Sequence, residues 1–343
     1  MTTRDPRRRP TIMDVARLAG VSHQTVSRFL RDEGKGLKES NRERIDAAMR
    51  ELDYRPNLVA RSMRTRRTGR LAIVLPSLRT LGPARMLIGA VETAHAEGFV
   101  VEVVSLGGGA RARTERMSEL ADAGQVEGIL SLSPLDLDGA GPMNNAAVVV
   151  SADYDDEMRG IGELADASPV VELIERLADQ GHRRFLHVTG DLGFASARGR
   201  RKTYEDTIAK LGLESFGVIE GTWSAEAGSA AIRALPEDSG VTAIIAGSDV
   251  IAAGVCRGAK ERGWRVPEDL SVTGWDDNPV GAHLSPSLTT VDVDLVLLGE
   301  NAMRRLVAAV RDTTPQLTER PLNRIIWRES TGPVPGSVRH AQG

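Results

Sequence analysis

Apolar residues recur at helical spacing from Thr11, and from about residue 70 they come instead as short β-branched runs separated by helical stretches. The first region reads as a bundle of short helices. Ile12, Val15, Ala16 and Ala19 fall on one face, Thr11 stands as the cap with Asp14 three residues on, and Gly20 closes the turn. Ser22 caps a second helix whose Val26, Phe29 and Leu30 form the inward stripe, leaving His23, Gln24, Thr25, Ser27 and Arg28 outward. The loop Asp32–Glu39 leads to a third helix predicted over Asn41–Leu52, with Ile45, Ala48, Met49 and Leu52 inward. Pro56 is placed to start a fourth, short helix over Asn57–Arg64, and the basic stretch to Arg70 reads as hinge and linker.

After residue 70 the runs LAIVLP (71–76), FVVEVVSL (99–106), GILSLS (128–133), AAVVVSA (146–152), FLHVTG (185–190), AIIAGS (243–248) and LSVTGW (270–275) read as buried strands. Helices lie between them, among them one predicted over Pro83–Glu97. Apolar strands alternating with helices imply parallel sheets covered on both faces. A split near Ala152–Asp166 and a second crossing near Val291 make this a bilobed core, and its ligands belong beyond the carboxyl ends of the strands. The expected class is α/β: a three-helix helix-turn-helix head before two parallel-sheet subdomains. Its expected parts are a basic tail (1–10), the head (11–56), a hinge helix and linker (57–69), the core (70–335) and a polar tail (336–343).

Charge sharpens this division. Residues 1–70 carry 18 Lys and Arg against 9 Asp and Glu (+9), whereas the remainder carries 26 against 38 (−12). A basic head on an acidic body implies a polyanionic partner for the head alone, with a solvated basic tail as the competing reading. The single Cys256 excludes an internal disulfide or a thiolate metal site, and no apolar run is long enough to cross a bilayer. With no apolar leader at the N-terminus, a cytoplasmic protein without a membrane partner is expected. Neither a GxxxxGK[ST] loop nor GxGxxG is present, and six scattered histidines show no metal spacing, so no cofactor, metal or catalytic residue is expected.

The outward face of the second helix fits DNA. Gln24 suits the adenine N6/N7 edge and Arg28 the guanine O6/N7 edge, with His23 beside them. Thr11, Ser22, Thr25 and Ser27 are candidates for phosphate contacts. The segments TIMDVARLAGVSHQTVSR (11–28) and RERIDAAMRELDYRPNLVARSM (42–63) closely resemble the LacI/GalR family of bacterial transcription regulators. The resemblance implies a double-stranded operator bound by a homodimer. It also implies a minor-groove hinge helix in which Asn57, Ala60 and Met63 contact DNA, Met63 as an apolar wedge; simple packing is the other role open to Met63. Lys38 stands where the family commonly has a capping Ser, so Ser40 or Asn41 is the expected cap of the third helix.

The resemblance extends through QGHRRFLHVTG (180–190), SARGRR (196–201), GTWSAEAGSAA (221–231), residues 246–279, SPSLTTV (285–291) and IIWRESTGP (325–333). It implies a periplasmic-binding-protein-like core whose effector cleft is lined by Arg198, Trp223, Ser248, Asp249 and Asp276. Carboxylates and a guanidinium can bind vicinal hydroxyls, and an indole face can cover a pyranose ring. The competing roles are a surface ion pair for Arg198, simple core for Trp223 and capping for Asp249 or Asp276. Ser248 replaces the commoner Asn, and RTLGPARM (79–86) and Tyr154 depart from many relatives in ways that lean towards an uncharged sugar. A free solute-binding protein and an enzyme are the other classes weighed. The basic head and missing leader oppose the first, and the absent motifs oppose the second.

Overall fold

The computed structural model describes residues 10–32, 36–54, 67–75, 81–136, 145–151, 153–155 and 159–334. The expected hinge helix with Asn57, Ala60 and Met63 lies outside them, as do the 336–343 tail and all but Pro10 of the 1–10 tail. The chain divides into two units, Met1–Thr68 and Gly69–Gly343.

In the first unit α1 (Ile12–Ala19), α2 (His23–Asp32) and α3 (Glu39–Glu51) enclose a small core of Val15, Ala16, Ala19, Val26, Ile45 and Ala48. Gly20 takes the left-handed conformation that closes α1, which a residue without Cβ adopts at little cost. α3 begins two residues before the expected start. Lys38 is its N-cap, and the Lys38 carbonyl accepts from the Asn41 and Arg42 amides. Neither Ser40 nor Asn41 caps it, since both lie in the first turn and the Asn41 side chain accepts from Arg44 instead. Glu39 in that turn supplies negative charge to the helix start, which offsets the missing side-chain cap.

The second unit holds two lobes. In lobe 1, β1 (Arg70–Leu75), β2 (Val100–Ser105), β3 (Gly128–Ser131) and β4 (Ala147–Val150) form a parallel sheet in the order β2-β1-β3-β4. Leu71, Ile73 and Leu75 face α4 (Leu81–Ala96), while Ala72 and Val74 face α5 (Ala110–Asp122). Lobe 2 follows α6 (Pro169–Asp179) with β5 (Arg184–Thr189), α7 (Ala195–Lys210), β6 (Glu214–Glu220), α8 (Ala225–Ala234), β7 (Ala243–Ala246), α9 (Asp249–Glu261) and β8 (Ser271–Thr273). Its strands are parallel in the order β6-β5-β7-β8.

The chain crosses between the lobes after β4. From β9 (Thr290–Val293) it returns as α10 (Leu295–Arg311), which packs its Ala302, Met303, Leu306 and Val307 into the lobe 1 core. β10 (Asn323–Ile326) then pairs antiparallel with β9, and residues 328–334 rejoin lobe 2. His182 ties that last stretch down: its ring nitrogens meet Thr242 Oγ1 at 2.9 Å and the Gly332 carbonyl at 2.9 Å.

Each lobe contains one helix pair in backbone contact. A Cβ on Gly89 of α4 would run into the Val296 carbonyl of α10, and one on Gly299 of α10 into the Met86 carbonyl of α4. In lobe 2 the same relation joins Gly228 of α8 to the Ile251 carbonyl, and Gly254 of α9 to the Ala225 carbonyl. Several strands end earlier than their apolar runs. β3, β4, β7 and β8 stop at Ser131, Val150, Ala246 and Thr273, and Leu132, Ser151 and Gly247 each donate one last backbone bond to the neighbouring strand.

Candidate DNA-reading helix and effector cleft

The α2 face is set by its cap and its core. Ser22 Oγ accepts from the Thr25 amide at 3.1 Å and lies 2.8 Å from Thr25 Oγ1, so both hydroxyls are engaged in the helix start. Thr11 is engaged similarly: its amide and hydroxyl donate to Asp14 at 2.9 and 2.7 Å. Val26 is fully buried, which turns His23, Gln24 and Arg28 outward, while Thr25 and Ser27 are half-buried. Arg28 Nη2 rests on the Gly36 carbonyl at 3.2 Å, a weak surface bond that a stronger acceptor can replace.

The candidate effector residues gather at the carboxyl ends of the lobe 2 strands. After β8, Trp275 is buried and Asp276 turns with φ 107°, followed by Asp277 with φ 44°. Non-glycine residues at such angles are strained and persist only where neighbours hold them. Here the Asp276 amide donates to the Val291 carbonyl at 2.9 Å, Arg328 pairs with Asp277 at 2.7 Å, and Arg85 Nη1 donates to the Asp276 carbonyl at 3.0 Å. The Asp276 side chain is open to the cleft, and the crowded walls push its carboxyl up to about 6 while Arg200 and Arg85 pull it down.

Asp249 serves the same loop from the buried side. Its carboxylate accepts from the Asn278 amide at 2.6 Å and from Thr290 Oγ1 at 2.5 Å, and its own amide donates to the Trp275 carbonyl. Burial pushes this carboxyl up to about 7 despite those bonds. Ser248 is the cap of α9, accepting from the Ile251 amide at 3.2 Å. Of the five expected cleft residues, then, Asp249 and Ser248 are spent on internal bonds.

Arg198 does not join Trp223 and Asp276. It is exposed, and Nη1 donates to the Leu192 carbonyl at 2.6 Å. The guanidinium that does join them belongs to Arg200, which is buried, donates to the Gly247 carbonyl and lies 4.0 Å from the Trp275 ring centroid and 6.0 Å from that of Trp223. Burial lowers the Arg200 pKa to about 10, which leaves it protonated at neutral pH. Helical spacing carried the signal for it: Ala197, Arg200, Tyr204, Thr207 and Ile208 form the inner face of α7, and residue 198 falls off that face. Trp223 lies flat on Gly190, where a Cβ would strike the indole.

Lobe 1 reaches the cleft through Arg85 on α4, whose Nη2 also pairs with Asp292 of β9 at 3.1 Å. Its partners are 191 and 207 residues away, so no local pattern marks it. Tyr154 is buried within electrostatic reach of Asp153, Asp276 and Arg85, and burial pushes its hydroxyl pKa far up. A groove of about 660 Å³ bounded by Glu163, Asp166, Glu172, Arg320 and Arg324 lies on the crossover side and holds none of the expected effector residues. Among the described residues no cluster of His, Cys, Asp or Glu is arranged for a metal ion, and no helix is long and apolar enough to cross a membrane.

Residues 11–57 match the bacterial regulatory proteins of the lacI family, and residues 174–331 match the periplasmic binding protein-like domain. The lactose operon repressor of Escherichia coli K12 is 30% identical over 311 residues, covering 87% of this chain and 84% of that protein. The regulator CelR of Thermobifida fusca is 30% identical over 325 residues, covering 90% and 94%. Among solved structures, the lac repressor dimer bound to operator and an anti-inducer superposes with a TM-score of 0.69 at 26% identity, covering 94% of this chain and 99% of that one. A CelR–cellobiose complex superposes with a TM-score of 0.56 at 27% identity, covering 94% and 100%. With a helix-turn-helix unit followed by a two-lobed core, and with these relatives matched over most of its length, the chain belongs to the LacI family of bacterial regulatory proteins: it is a transcriptional regulator with a helix-turn-helix head and a periplasmic-binding-protein-like core.

Proposed function

We propose that the protein is a sugar-responsive repressor that binds a two-fold symmetric operator as a homodimer in the cytoplasm. His23, Gln24 and Arg28 read base edges in the major groove, with Thr11, Ser22, Thr25 and Ser27 at the phosphates. Asn57, Ala60 and Met63 are assigned to the minor groove. The relatives are regulators rather than enzymes, and this chain is assigned no catalysis. Their names include repressors of lactose and ribose operons, and one relative's structure holds cellobiose.

The observation that carries the sugar reading is the Arg200 guanidinium and the Asp276 carboxyl within electrostatic reach of each other at the strand ends, with the half-buried Trp223 indole beside Arg200. A guanidinium beside a carboxylate offers donors and acceptors to adjacent hydroxyls, and indoles shield the C–H faces of a ring. Arg85 joins the Asp276 loop to α4, so an effector that alters this loop shifts the balance between two lobe arrangements. Effector and operator then change each other's affinity by the same factor.

Thermal unfolding of the full chain against monosaccharides, disaccharides, nucleobases and amino acids tests this. A ligand at 100 times its Kd adds about 2.7 kcal/mol. A saccharide that stabilises the protein, loses that effect with Arg200→Met, and releases a duplex selected from random sequence supports the reading. Stabilisation by a purine alone keeps the regulator and discards the sugar.

A further inference from the structure

Arg28 stands in the second half of α2, and its guanidinium makes one bond among the described residues, to the Gly36 carbonyl at 3.2 Å. That bond uses one hydrogen of Nη2. The other Nη2 hydrogen and the pair on Nη1 are left for a two-pronged bond to a base edge. Both ends of the contact are anchored in the head. On the α2 side Val26 is buried, and Phe29 and Leu30 pack on the same core. On the loop side Leu37 packs against that core, and the Lys38 carbonyl accepts from the Asn41 and Arg42 amides at 2.9 and 3.2 Å. The Gly36 carbonyl therefore precedes two fixed residues.

Glycine at this position answers two demands. Its φ of 76° is left-handed, a conformation that a residue without Cβ adopts at little cost. A Cβ there would also stand 3.0 Å from Arg28 Nη2, closer than ordinary contact. The end of a long side chain yields more readily than an anchored backbone, so a side chain at residue 36 displaces the guanidinium rather than the loop. An arginine held in one rotamer before DNA arrives loses less freedom on binding than one that samples several.

We propose that Gly36 is a positioning residue for sequence readout: its carbonyl and its lack of a Cβ hold the Arg28 guanidinium in the orientation that meets a guanine edge. This rests on the base-reading role given to Arg28 above and adds to it a part of the head outside α2. The full-length protein is titrated by fluorescence anisotropy, at one salt concentration, with a duplex selected from random sequence and with copies in which each guanine–cytosine pair is changed in turn. The pair whose change weakens the parent but not Arg28→Ala is the pair that Arg28 reads. Discrimination at that pair is expected to shrink about two- to tenfold in Gly36→Ala and in Gly36→Asn, the effect of one long side chain left unordered. Asn tolerates a positive φ better than Ala while bringing the same Cβ, so it serves where strain at Ala unfolds the head. The change comes from weaker binding to the selected duplex, and neither substitution alters discrimination further in an Arg28→Ala background. Equal losses on both duplexes, tighter binding to the selected one, or a loss that persists in the Arg28→Ala background overturns the assignment and leaves Arg28 as the base reader. Uniform losses for Arg28→Ala itself end the base-reading role, and the assignment falls with it.

Discussion

The reading helix and the cleft handle their functional groups in opposite ways. On α2 the groups proposed to contact DNA lie within six consecutive residues, exposed or half-buried, and hang on a core that does not include them. At the strand ends, Arg85, Arg200, Trp223 and Asp276 come from four separate parts of the chain and are held by contacts with one another, with the Gly247 carbonyl and with Gly190. A helix face can be altered with little effect on folding. A cleft assembled from strand ends ties recognition to the packing of the lobe beneath it.

The contrast predicts where substitutions act. Gly254→Ala forces α8 and α9 apart at a backbone contact and is expected to cost about 3 kcal/mol or more of core stability, read by urea unfolding. Arg200→Met removes a buried cation whose carboxylate neighbour remains open to solvent. It should weaken effector binding by about 2–3 kcal/mol while lowering stability by no more than about 1–3 kcal/mol, the cost of leaving the Gly247 carbonyl without its donor, which the avoided desolvation of the cation partly offsets. A large fall in stability would make Arg200 a structural residue instead.

Arg28→Ala is expected to cost about 1–3 kcal/mol of discrimination among operator variants, with stability within about 0.5 kcal/mol of the parent. Equal loss on every duplex would move Arg28 from base reading to phosphate binding. The smallest effect concerns pH. His187 is buried, stacks on Tyr204 and donates Nδ1–H to the Ile245 carbonyl, and burial lowers its pKa from 6.5 to about 4. Its neutral form is the folded one, so its contribution is complete above pH 6.5 and is lost as pH falls towards 4. His187→Phe should flatten the fall in stability across that window by up to about 1.4 kcal/mol per pH unit. The raised carboxyls of Asp276 and Asp249 work in the other direction, losing stability as pH rises from about 4 to 7, so the difference between variants is the quantity to measure.

What the sequence disclosed follows the same contrast. The α2 face was legible because cap, apolar stripe and polar face sit within one stretch, and the strands because parallel strands are apolar on both faces. The apolar runs could not mark where ladders end, so the strand termini were overextended into the cleft loops. Resemblance pointed to Arg198, whereas the periodicity of Ala197, Tyr204 and Ile208 identifies Arg200 as the inward arginine. Asp249 was legible as a strand-end carboxylate, but its two internal acceptor bonds depend on Asn278 and Thr290. Arg85 had no local sign at all.

The glycine pairs of the two lobes have a mechanical consequence. Helices in backbone contact have no side chains between them to rearrange, so α4 with α10, and α8 with α9, act as stiff plates. α10 begins one residue after β9, with Asp294 as its cap and Arg320 on that carboxylate, so the plate in lobe 1 is anchored to a strand at the crossing. A small rotation at β9 is transmitted along the 17 residues of α10 without slack. Any rotation of one lobe against the other would therefore be taken up at the crossings rather than within the helix pairs.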